Sequence, residues 1–62
     1  MEVGKQYNWL GSIWTVIVFE MEQHRCGRIT YTIGMRHPGG DLTLMLEGAS
    51  QLEEFLQSLE TV

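Results

Sequence analysis

Apolar and polar residues alternate with a period of two through the middle of the chain, and near residue 50 the spacing changes to threes and fours. The first pattern is that of strands with one buried face, the second that of an amphipathic helix. Residues 28–36 alternate most cleanly, with Ile29, Tyr31, Ile33 and Met35 on one side and Thr30, Thr32 and Gly34 on the other. Residues 41–47 repeat the pattern with Leu42, Leu44 and Leu46. Between them, His37-Pro38-Gly39-Gly40 suits a type II turn, with proline second and glycine third. A loop of those residues sets Arg36 opposite Asp41, Met35 opposite Leu42, Ile33 opposite Leu44 and Tyr31 opposite Leu46. A slip of one residue would turn all the leucines to the wrong side, so the register is well specified.

The segment Ser12–Gln23 is rich in β-branched and aromatic residues, Ile13 to Phe19 in succession, and is predicted as a strand. Uninterrupted alternation puts Ile13, Ile17, Phe19 and Met21 on one face and Trp14, Val16, Val18, Glu20 and Glu22 on the other. Pairing about Arg25 brings Met21 to Ile29, Phe19 to Tyr31 and Ile17 to Ile33, with residues 23–27 as the turn. The same register sets Glu22 opposite Arg28 and Trp14 opposite Arg36, within reach of a cation–π contact.

Ser50 followed by Glu53 is a capping-box pattern, and Leu52, Phe55, Leu56, Leu59 and Val62 then form one apolar stripe, so a helix is predicted over residues 50–62. Residues 1–11 carry Tyr7, Trp9 and Leu10 between Gly4 and Gly11, and read either as an edge strand or as an arm laid over the sheet. The expected architecture is a single α+β domain spanning residues 1–62. It is a three-stranded antiparallel β-meander followed by one C-terminal amphipathic helix, β-β-β-α, with room for a short extra N-terminal strand.

One helix covers one face of such a sheet. The other face is expected to carry Trp14, Val16, Val18, Thr30, Thr32, Arg36, Thr43 and Met45. A solvated antiparallel sheet should be mainly polar on its outer side, and a contiguous apolar patch rimmed by charge marks an interface. A second copy of the chain, the N-terminal arm or a different molecule can occupy it. The second copy is favoured, because a chain of 62 residues buries little surface by itself and such domains gain stability by pairing.

Charge narrows the partners. Eight acidic residues against four basic ones give a net charge of −4, which disfavours nucleic acid, since clustered cations drive phosphate binding. The competing reading is a single-stranded nucleic-acid binder stacking bases on Trp14 beside Thr30 and Thr32. Cys26 stands alone, which excludes an intrachain disulfide and points to a reducing, cytoplasmic compartment. Residues 1–11 show no signal-peptide pattern, and the run Val16, Ile17, Val18, Phe19 is too short to cross a bilayer, so no membrane association is expected.

Candidate chemistry is sparse. His24 and Cys26 sit at one hairpin tip and His37 at the other, on the order of 30 Å apart along an extended strand, so neither a metal nor a nucleophilic site is expected. Glu20 and Glu22 share a face, but nothing desolvates them for acid–base work. No cofactor motif is present. The expectation is therefore a small noncatalytic accessory or regulatory protein that acts through macromolecular contact, principally with protein, as a homodimer.

Overall fold

Each period-two segment forms a strand in the computed structural model, which describes all 62 residues. In chain order the elements are β1 Gln6–Trp9, β2 Ser12–Gln23, β3 Ile29–His37, β4 Gly40–Glu47, α1 Gly48–Gln57 and β5 Glu60–Thr61. The strands make one five-stranded sheet in the order β4-β3-β2-β1-β5. Every pairing in it is antiparallel. The α+β class holds and the meander is present, but the sheet has two strands more than the β-β-β-α expectation.

Both extra strands come from the ends of the chain. β1 resolves the ambiguity of residues 1–11: it pairs along the start of β2 through a two-residue turn, Leu10-Gly11, with both residues at positive φ (52° and 77°). That is the geometry of the hairpin turns whose twist matches the flanking strands. β5 arises because α1 stops early. Ser58 caps it, its hydroxyl donating to the Phe55 carbonyl and its N–H to the carbonyls of Glu54 and Phe55. Glu60 and Thr61 then pair with Asn8 and Tyr7. Val62 is thus exposed at a strand end and does not extend the helical stripe.

The start of the helix also differs from expectation. Gly48, at φ 80°, lets β4 pass directly into α1, so Ser50 falls inside the first turn and caps nothing. The freed N–H of Glu47 donates instead to the Gln51 side-chain oxygen at 2.9 Å. The helix leaves β4 at one edge of the sheet and delivers β5 to the other. It lies over β3 and β4 on the way, with Phe55 as its buried anchor.

The β3–β4 register is as predicted, Met35 with Leu42, Ile33 with Leu44, Tyr31 with Leu46 and Arg36 with Asp41. The turn is tighter, however. His37 and Gly40 pair directly, and the positive φ falls on Gly40 and not on Gly39, so the turn is not type II.

The β2–β3 ladder departs twice from a regular pairing about Arg25. Beyond the middle of β2 it is shifted by two residues, giving Phe19 with Ile33, Met21 with Tyr31 and Glu22 with Thr30. A shift of two preserves the faces, so Phe19 and Met21 stay on the helix side as expected. The second departure is a bulge: Val16 pairs with Met35 and Val18 with Gly34, leaving Ile17 without a partner. One extra residue turns the preceding half of the strand over. Trp14 and Val16 therefore point into the core, contrary to the outer-face assignment, and Ile13 points out. Trp14 is 8% exposed and Val16 fully buried.

Trp14 organises the core that results. Its Nε1–H donates to the Trp9 carbonyl at 3.1 Å, which satisfies the one polar atom it buries. Its ring meets Trp9 edge-on at 5.7 Å and His37 at 3.9 Å, and Trp9 in turn meets Phe55 at 5.3 Å. This aromatic chain ties β3, β2, β1 and α1 together. Arg36, the predicted neighbour of Trp14, lies opposite Thr15 instead. Ile33 and Met35 complete the centre, with Leu42, Leu44, Leu46, Leu52 and Leu59 packed around it.

Candidate binding surface

The bulge sets what the outer face contains. Val18, Thr30, Thr32, Arg36, Thr43 and Met45 share it as expected, and Trp14 and Val16 leave it. In their place come Ile13 and Ile17. A Cβ placed on Gly34 would lie 3.1 Å from the Val18 Cβ and 3.3 Å from the Ile17 Cγ1, so both side chains lean over this glycine on the outer side. Gly34 is buried beneath them. Ile13, Val18 and Met45 are exposed, Met45 the most at 73%. The signal that could have located this was Gly34 itself, since a glycine inside a strand marks a bulge or a close approach.

Charged pairs bound the patch at two corners. Arg36 grips Asp41 through two bonds, Nε to Oδ1 at 2.8 Å and Nη2 to Oδ2 at 3.0 Å. The hydrogen bond from Arg36 holds the Asp41 carboxyl below the usual carboxylate range against desolvation, with lesser help from the charges of Arg36 and His37; the guanidinium is raised in turn. Arg28, predicted to face Glu22, instead reaches Glu47 at the end of the neighbouring strand β4. Glu20 and Glu22 are left exposed on the same side with no ion pair. Thr15, Thr32 and Thr43 fill the ground between, so the patch is apolar at its centre and hydrogen-bonding around it.

The potentially reactive side chains lie elsewhere. His24 Nε2 lies 3.1 Å from the Thr30 hydroxyl, Cys26 is exposed at the hairpin tip, and His37 is engaged with Trp14 and accepts the Gly39 N–H at Nδ1. No three His, Cys, Asp or Glu side chains converge in a way that would hold a metal ion. The surface depressions are open. One, of about 370 Å³, lies between Ile13, Thr15, Arg36 and Pro38 and forms the end of the outer face. No helix is long and apolar enough to cross a membrane.

Fold and surface together define a small α+β domain with one sheet face uncovered. No family model matches the chain, and neither a curated protein nor a solved structure shows significant similarity to it.

Proposed function

We propose that this protein is a noncatalytic accessory or regulatory module that acts by protein contact, and that its outer sheet face docks a second copy of the chain. The observation that carries this reading is the apolar centre of that face. Ile13, Ile17, Val18 and Met45 stand on a sheet whose one helix lies on the other side. Exposed apolar patches with charged rims are characteristic of interaction sites. The size of the core supports the same reading, because six buried residues of 62 are few for a domain that stands alone. A two-fold pairing is self-complementary at the corners, where each copy offers both an Arg36–Asp41 and an Arg28–Glu47 pair. The exposed, unpaired Cys26 fits a reducing, cytoplasmic setting.

The noncatalytic part rests on the open depressions and on the dispersal of His24, Cys26 and His37. Single-stranded nucleic-acid binding loses its principal support, because the Trp14 ring lies in the core and offers no stacking platform. Sedimentation equilibrium tests the dimer. The native chain is expected to run at twice its monomer mass, and Val18→Glu and Met45→Glu to run as folded monomers. A native chain that stays monomeric up to about 1 mM, the edge of measurable weak association, overturns the reading.

A further inference from the structure

We propose that the free edge of β2, residues 18–23, is a strand-addition site for an extended basic segment of another protein, a backbone edge that adjoins the outer face assigned to the dimer only at Val18. β1 covers only the start of β2. Its pairing runs from Ser12 to Thr15, and Gly4 and Lys5 extend it to Val16, where the Gly4 N–H reaches the Val16 carbonyl at 2.7 Å and the Val16 N–H the Lys5 carbonyl at 2.9 Å. It ends there, immediately before the bulge, as pairing often does at such irregularities. From Val18 to Gln23 the strand has β3 on one side and no strand on the other. Six residues span about 20 Å, the length of an ordinary strand. Every second residue along such an edge directs its N–H and C=O outward, ready to pair with an added chain.

The side chains along this edge specify its occupant. Phe19 and Met21 flank it on the helix side, Phe19 at the margin of the core and Met21 beyond it. Phe19 is stacked on Tyr31 at 6.2 Å, and Met21 is 60% exposed. Glu20 and Glu22 flank it on the outer side, and they lack the arginine partners that Asp41 and Glu47 have. An added strand places its residues directly beside these, with the same alternation. Cations therefore belong at every second position and apolar residues between them, as in other strand-addition complexes where pockets read alternate side chains.

A second copy does not fit this edge. Two-fold registers centred on Glu20, Met21 or Glu22 set glutamates opposite one another, which is destabilising. A register centred on Phe19 drives the partner strand into β1, and one centred beyond Glu22 pairs only the last residues of the strand. The two acids thus exclude self-pairing and select a basic partner.

The test uses the capped peptide Lys-Val-Lys-Val-Lys-Val, with the block peptide Lys-Lys-Lys-Val-Val-Val and the acidic Glu-Val-Glu-Val-Glu-Val as controls, titrated into the isotopically labelled full chain by NMR. The alternating basic peptide is expected to give saturable shifts at the amides of residues 18–23 and slowed hydrogen exchange at every second one of them. Affinity should fall about ten-fold or more for the block peptide, and likewise for E20Q/E22Q. In E20K/E22K the preference should pass to the acidic peptide. Equal binding of the block peptide would reduce the effect to charge attraction and overturn the proposal. So would shifts confined to Arg36 and Met45 on the outer face, or no binding up to about 1 mM. The dimer is read from mass and the edge from these amides, so either can fail without the other.

Discussion

Leu10 is held in the left-handed region at φ 52° while 77% exposed, so it bears backbone strain without burial in return. An L-residue there costs on the order of 1 kcal/mol, and the turn it occupies favours asparagine or glycine. Leu10→Asn should therefore raise the free energy of unfolding by about 1 kcal/mol in urea titrations, with no change in the pattern of the sheet. A loss of stability would contradict the strained, exposed placement of Leu10. Residue identity was legible at such turns, where Gly11 marked a break, but the strain at Leu10 was not. Nothing in a leucine announces a positive φ; the hairpin imposes it once Trp9 has paired with Ser12.

At the scale of the element, the bulge in β2 decides which side chains reach the core. Alternation in β3 and β4 was readable because Ile33, Met35 and Leu42 have polar residues or glycine on either side in the chain. In β2 the run from Ile13 to Phe19 is apolar or β-branched on both faces, so a skipped partner leaves no mark in the pattern. The outer-face residues of β3 and β4 were therefore placed correctly from the sequence and those of β2 only in its second half. Gly34 tests this account. A methyl group there would sit 3.1 Å from the Val18 Cβ, close to the backbone, where little can give way. The gain from removing a glycine, about 0.4–1 kcal/mol, is outweighed by an overpacking cost of about 1–3 kcal/mol. Gly34→Ala is thus expected to lower stability by about 1 kcal/mol in urea denaturation; a stabilised variant would show that Ile17 and Val18 do not press on this glycine. The helix carries the converse lesson. Its apolar stripe was legible, but its ends were set by Gly48, Gln51 and Ser58 through hydrogen bonds that depend on where β4 and β5 lie.

The whole molecule is longer than its chain length requires. Its radius of gyration is 12.0 Å and its extents 38 × 19 × 16 Å, where a compact chain of this size would have a radius near 10.6 Å, roughly. The excess comes from the β2–β3 hairpin, which runs past β1 and the helix and leaves Met21 and the free edge of β2 uncovered. That projection and the outer face are the two surfaces proposed above for contact, and the make-up of the outer face depends on β2 turning over at Ile17. The most direct test is to compare urea denaturation of Val16→Thr and Val18→Thr, two substitutions of the same shape and polarity on either side of the bulge, at concentrations low enough to keep every chain monomeric. Val16→Thr buries a hydroxyl in the core and should lose about 1–3 kcal/mol, whereas Val18→Thr should stay within about 0.5 kcal/mol of the native chain. Equal losses, or a greater loss at Val18, would contradict the placement of Val16 in the core and of Val18 on the outer face.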